Sequence, residues 1–233
     1  MSKSTRKSNK IFIPHKLYPK TDNQEKCIEL IKESRICFID GCFGTGKTHL
    51  GASYGIVELL NEQFDRMIIS RPCVSSQESL GFLPGSIRDK TYEYMVPIFE
   101  ECYKYIDSQT MKDMIKDGQL QVCPVGFMRG RNFHRAYIQI DEFQNLTYQQ
   151  FILILSRIGK NSKLIFTGDS TQRDVKSCYW WDIENICKKL SEIDSINYIK
   201  FTEDDIVRDD IVKSIFLKLR EMNEYKIKND QPN

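Results

Sequence analysis

Apolar residues along this chain fall into two rhythms, short runs and longer stretches with helical spacing. Residues 120–123, 136–140 and 163–167 are apolar runs too short for helices, the pattern of parallel strands buried on both faces. Residues 35–40, 66–71 and 197–201 add three more strands. Helical rhythms cover 23–34, 50–60, 86–105, 108–117 and 147–158, with Thr147 placed as N-cap of the last. A further helical segment ends near Leu190, and 204–222 reads as a closing helix. A stretch punctuated by Pro and Gly runs through Gly85, and the middle of the chain up to 117 reads as an insertion against the core. Strands alternating with helices predict an α/β fold, a mostly parallel sheet flanked by helices.

With 233 residues and 40% hydrophobic content the chain can bury one sizeable core, so one domain is expected. The formal charge is only +2 but unevenly spread: residues 1–20 hold Lys3, Arg6, Lys7, Lys10, Lys16 and Lys20 and no acid. That arm reads either as a solvated tail or as a segment lying along a phosphate backbone, where each neutralised phosphate releases counterions. The expected layout is a basic arm over 1–20, one catalytic domain over 21–222 and a polar tail over 223–233.

Eight cysteines, at 27, 37, 42, 73, 102, 123, 178 and 187, form no CxxC pair and follow no secretory signal. They read as reduced thiols in a cytoplasmic protein. His15, His49 and His134 are widely spaced and recur with no cysteine or carboxylate at metal spacing, which argues against a zinc site. No window approaches 18 consecutive apolar residues, so no membrane span is expected.

Chemistry enters between the first strand and the helix after it. Gly41-Cys42-Phe43-Gly44-Thr45-Gly46-Lys47-Thr48 reads GxxxxGK[ST] in the strand, loop and helix context that a phosphate-binding loop requires. Its glycines let successive backbone N–H groups face one concavity, Lys47 reaches the β- and γ-phosphates, and Thr48 offers a hydroxyl to Mg²⁺. With His49 beside it, residues 41–49 form the expected ATP-binding set.

At the end of the 136–140 run stand Asp141 and Glu142, an acidic pair at the carboxyl edge of a strand, where open α/β sheets bind ligands. Asp141 is placed to hold Mg²⁺, and Glu142 to take a proton from the attacking water. A second strand ends in a polar turn containing Gln172, which reads either as a contact to the γ-phosphate and water or as a plain turn residue.

The ordered segments GCFGTGKT at 41, RPCVSSQESLGFLPG at 71, FMRGR at 127, DEFQNLT at 141, SRIGKNSKLIFTGDSTQRD at 156 and DDIVRDDIV at 204 resemble the PhoH-like ATPases. The resemblance runs from about 23 to 216. It implies a RecA-like P-loop core related to one half of a superfamily 1 helicase, often assembled as a hexameric ring. Carried over position by position, it supports Lys47 and Thr48 for phosphate and Mg²⁺, Asp141 and Glu142 as the Walker B pair, and Gln172 as phosphate sensor. Gln24 becomes a candidate adenine contact, or else an ordinary polar residue near a helix start. The chain departs from the family pattern at Cys42, Phe43, Phe143, Ser75, Gln77, Asp209 and Asp210; the phosphate-loop changes are expected to be tolerated, since backbone amides do the binding, while those at 75, 77, 209 and 210 leave partner and ring contacts open.

Phosphoryl transfer gains from positive charge near the γ-phosphate. By the same resemblance Arg208 is the preferred arginine finger, presented across a subunit boundary. The competing reading is a helix-surface residue paired with Asp204 or Asp205. Arg129 and Arg131 read as a loop contacting nucleic acid or a neighbour, or as a solvated basic turn. Trp180 and Trp181 read as base-stacking platforms or as core.

The expected function is a Mg²⁺-dependent ATPase, a homo-oligomer with ATP at its interfaces, coupling hydrolysis to single-stranded nucleic acid, RNA in preference. A nucleotide-controlled protein assembly factor and a small-molecule P-loop kinase are the alternatives.

Overall fold

A computed structural model describes residues 17–72, 95–172 and 182–215, with 217, 218 and 222. Its strands are β1 (Ile36–Gly41), β2 (Arg66–Ser70), β3 (Leu120–Val122), β4 (Ala136–Asp141), β5 (Lys163–Gly168) and β6 (Ile196–Phe201). They form one sheet in the order β3-β2-β4-β5-β1-β6, every pairing parallel. The central strands β1, β4 and β5 are buried at every position, as continuous apolar runs require. Residues 120–123 were expected to be buried on both faces. Instead β3 is a three-residue edge strand with Gln121 and Val122 half-buried, because only β2 flanks it.

Side chains alternate across the sheet and build two cores. Cys37 and Ile39 of β1 pack with Met67, Ile69, Tyr137, Ile165 and Ile199 against α1 (Asp22–Glu33) and α2 (Lys47–Leu60). Ile36 and Phe38 face the other way, with Ile138, Ile140, Leu164 and Phe166. There Phe38 stacks on Phe166 at 4.9 Å and on Phe151 at 6.0 Å. Phe151 belongs to α5 (Tyr148–Leu155), which follows α3 (Val96–Cys102) and α4 (Ser108–Lys116) in the chain. The last labelled helix is α6 (Ile183–Leu190).

Two sequence expectations need correction. The described part of the middle region, 95–117, is no separate insertion: Ile98, Phe99 and Cys102 of α3 and Met111 and Met114 of α4 join the same core as α2, and the chain runs on into β3. Nor is 204–222 one helix. Glu203–Asp205 is a single 3-10 turn, residues 206–209 are non-helical, and helix resumes at 210.

Helix 147–158 is also shorter than its rhythm. Thr147 is the expected N-cap and forms a capping box with Gln150, but the helix ends at Leu155, because Arg157 and Gly159 bond to the Phe133 backbone and Ile158 bridges it. Outside the described residues lie 1–16, the segment holding Ser75, Gln77, Phe82, Leu83 and residues 86–94, Trp180 and Trp181, and the tail 223–233.

Candidate active site

Because every strand runs the same way, all their carboxyl ends meet at one edge of the sheet. That edge gathers the loop after β1, Arg71 after β2, Glu142 after β4, Asp169 after β5 and residues 202–208 after β6.

β1 ends at Gly41, whose φ is 138°. A Cβ there would stand 2.4 Å from the Phe201 carbonyl oxygen of β6, so glycine alone lets the chain turn away at this point. Gly44 (φ 78°) and Gly46 (φ 86°) take the left-handed conformations that fold the loop onto the start of α2. Thr45 Oγ1 donates to the Cys42 carbonyl at 2.9 Å. Lys47 Nζ lies over the loop and donates to the same carbonyl at 2.7 Å. Burial pushes the Lys47 ammonium down from its ordinary pKa, opposed by the nearby Asp169, Glu142 and Asp141.

Gln24 sits beneath this loop, 3% exposed. Its Nε2 donates to the Thr45 carbonyl at 2.9 Å and its Oε1 accepts from the Lys20 N–H at 2.8 Å. The residue singled out for adenine therefore braces the phosphate loop, while still lining the cleft.

Asp141, 3% exposed, receives two hydroxyls on one oxygen, Thr48 Oγ1 at 3.0 Å and Thr167 Oγ1 at 2.6 Å. Burial raises its carboxyl and neighbouring Glu142 adds to that, while the hydroxyls and Arg71 pull it back. Glu142 leaves the strand with φ 53°, in the left-handed region. Arg71 Nη2 donates to its Oε1 at 3.1 Å, and Gln144 Nε2 donates to its Oε2 at 2.5 Å.

Gln144 is held in turn by the Asp169 N–H, which donates to its Oε1 at 3.1 Å. The loop that follows is pinned from β1: Asp40 accepts the Ser170 N–H and hydroxyl, each at 2.7 Å. Gln172 stands exposed on this loop at the cleft wall, its N–H donated to the Asp169 carbonyl at 3.0 Å.

From the β6 side, Asp205 ties the edge to the start of α1, accepting from Thr21 Oγ1 at 3.1 Å, Asn23 Nδ2 at 3.0 Å and the Thr202 N–H at 2.9 Å. Val207 then donates its N–H to the Gly44 carbonyl at 3.1 Å. Arg208 lies against the phosphate loop of its own chain, its Cγ 3.2 Å from where a Gly44 Cβ would be. The reading of Arg208 as a helix-surface partner of Asp204 or Asp205 is thereby corrected: it is a loop residue, and the Asp205 carboxylate is engaged elsewhere.

His49 turns toward α3, its Nδ1 2.5 Å from Glu101 Oε2, and Lys104 holds the same carboxylate. Burial raises the Glu101 carboxyl, but the His49 and Lys104 bonds outweigh it and hold the group below its usual range. Arg131 serves structure, donating to Gln121 Oε1 at 3.0 Å and to Cys123 Sγ at 3.2 Å, while Arg129 is exposed.

A cleft of ≈ 580 Å³ collects Gln24, Phe43, Gly44, Gly46, Lys47, Thr48 and His49 with Asp141, Glu142, Gln172 and Arg208. Gly41, Cys42 and Thr45 shape the loop from behind rather than line the space. Tyr18, Lys20, Glu101, Lys104 and Asp169 also line it and escaped sequence reasoning. Asp169 and Gln144 stood inside quoted motifs; Glu101 carried no local signal. Among the described residues no helix is long and apolar enough to cross a membrane.

Comparison with known proteins follows the same line. The family model described as PhoH-like protein matches residues 16–219. A PhoH-like protein of Synechocystis sp. is 34% identical over 196 residues, covering 84% of this chain and 60% of that protein. A PhoH-like protein of Mycobacterium tuberculosis is 36% identical over 197 residues, covering 84% and 56%. Protein PhoH of Escherichia coli is 30% identical over 183 residues, covering 78% and 52%. The chain thus spans half to three fifths of the length of these curated relatives. Among solved structures, the large terminase of a thermophilic bacteriophage matches with a TM-score of 0.53 at 13% identity, covering 85% of this chain and 50% of that one. At that identity the likeness is one of fold.

Proposed function

The chain belongs to the PhoH-like family, and from that premise we propose a Mg²⁺-dependent ATPase that couples hydrolysis to single-stranded nucleic acid, RNA in preference, as a homo-oligomeric ring. The observation that carries the ATPase reading is the convergence of Lys47, Thr48, Asp141 and Glu142 on one cleft at the carboxyl edge of the sheet.

The phosphate loop and Lys47 hold the β- and γ-phosphates, whose oxygens take the place of the Cys42 carbonyl as partners of the ammonium. Thr48 and Asp141 suit Mg²⁺: a hydroxyl beside a buried carboxylate oxygen is a hard oxygen donor set. When bound, the ion neutralises charge developing on the phosphates. Glu142 takes the proton as a water O–H bond breaks, and the water oxygen bonds to the γ-phosphorus as ADP leaves. Gln172 contacts the γ-phosphate or that water. Arg208 supplies positive charge from the β6 side, and its place beside Gly44 supports a role within its own chain. An acid that follows the Mg²⁺ aspartate suits activation of water better than transfer to a second substrate.

The coupling to RNA rests on the family's helicase-like motif order and on the basic residues 1–20. The ring rests on the family resemblance. Among the described residues six cysteines are free thiols, five of them buried, which suits a reducing cytoplasm.

Steady-state phosphate release from ATP, with and without single-stranded RNA, tests the proposal. Glu142→Gln is expected to lower the rate by about 10² to 10⁴ while nucleotide still binds, and RNA is expected to stimulate the wild type in a salt-sensitive way. Hydrolysis that needs Glu142 but ignores RNA would remove the coupling and favour a protein assembly factor. A monomer by light scattering at concentrations of full turnover would remove the ring.

A further inference from the structure

We infer that Arg71 is a positioning residue for this reaction: with Gln144 it fixes the Glu142 carboxylate in the attitude from which it takes a proton from water. The inference rests on the ATPase reading above.

Glu142 lines the cleft with a third of its side chain exposed, so left alone it would sample several rotamers. Its backbone sits at φ 53°, a conformation that a non-glycine residue keeps when its surroundings hold it. Both carboxylate oxygens are tied, Oε1 to Arg71 and Oε2 to Gln144. Neither tether is loose. Arg71 follows β2 directly, and Ser70 is in register with Ile140 of β4, one residue before Asp141. Gln144 is fixed by the Asp169 N–H at the end of β5. The carboxylate is therefore suspended between the ends of three adjacent strands.

Direction matters as much as contact. Glu142 lines the cleft, and Arg71 reaches its carboxylate from the end of β2. Each carboxylate oxygen has two acceptor sites, so an oxygen that accepts from Arg71 can still accept from a water in the cleft. Holding a base within a fraction of an ångström of its working geometry is worth a large factor in rate. The ion pair itself contributes little to folding, since its side chains are 26% and 34% exposed.

The test is steady-state kinetics of the full chain carrying Arg71→Ala or Arg71→Lys, with equilibrium binding of a non-hydrolysable ATP analogue. Arg71→Ala should lower kcat by about 10- to 100-fold with KM and analogue affinity within about twofold of wild type, a split that loss of fold would not produce. Arg71→Lys should recover part of kcat, because an ammonium can still reach one oxygen. In a Glu142→Gln background Arg71→Ala should cost nothing more, since the group it positions is gone. An unchanged or raised kcat, a matching loss of affinity, or an additive loss in that background would each overturn the inference. If Glu142→Gln abolishes turnover and Arg71→Ala does not touch it, only the positioning role falls. If turnover ignores Glu142, the ATPase reading falls and takes this inference with it.

Discussion

Gln144 joins two strands with one amide: its nitrogen holds Glu142 and its oxygen accepts the Asp169 N–H. Gly168 makes this approach feasible, since a Cβ there would stand 2.2 Å from Gln144 Oε1 and 2.8 Å from the Phe143 ring. Gly168→Ala is therefore expected to displace Gln144 and lower kcat about tenfold. Nucleotide affinity should hold, because the phosphate loop follows a different strand; kinetics beside equilibrium binding would check it. Gly168, the last residue of β5, reads from sequence as a turn former, whereas its working reason is room for a side chain from the turn after β4. The same holds for Gln24, whose polarity is visible in sequence but whose bond to the Thr45 carbonyl spans 21 residues.

At the scale of elements, Lys163 links β5 to the end of α1. Its ammonium donates to the carbonyls of Ile31, Lys32 and Ser34, satisfying groups that a helix C-terminus leaves open. Burial holds its pKa down at about 8 from 10.5. Between those values this lysine holds more protons in the unfolded chain than in the folded one, so its own contribution to stability rises with pH through this window. Below about pH 8 the group is charged in both states and the cost of burying the charge is fully present. Burial pushes the thiols of Cys27, Cys37, Cys102 and Cys187 up, so their contribution to stability falls as pH rises through the same window. The Lys163 contribution is therefore read as a difference: the denaturant midpoint of the wild type relative to Lys163→Met should rise between about pH 7.5 and 10. The closing helix shows the reverse relation between element and contact. Residues 204–209 have a helical rhythm, yet Asp205 bonds to Thr21, Asn23 and Thr202, and Val207 to Gly44, and these contacts hold the segment out of helix. The break is what lays Arg208 against the phosphate loop.

Across the whole molecule, one cleft draws on α1, α2, α3, the ends of several strands and the segment after β6. A ligand bound there stabilises the fold as one unit: at about 100 times its Kd a nucleotide adds about 2.7 kcal/mol. For a chain of this size that is a rise of about 5 to 10 °C in Tm, which ADP should produce in a thermal scan and Lys47→Ala should abolish. The phosphate loop, the acidic pair and a largely parallel α/β sheet were all legible in the order of residues. Those features are local: glycine spacing, a capping threonine at 147 and apolar runs of strand length are set by neighbours a few residues apart. Contacts between distant segments were needed to show that the described part of the middle region, 95–117, joins the core, that β3 lies at an edge, and that Arg208 lies on its own cleft. They also bring Arg71 to Glu142 across 71 residues. Such contacts depend on which strand lies beside which, and strand order comes from packing both faces of the sheet at once, which no local window of sequence contains.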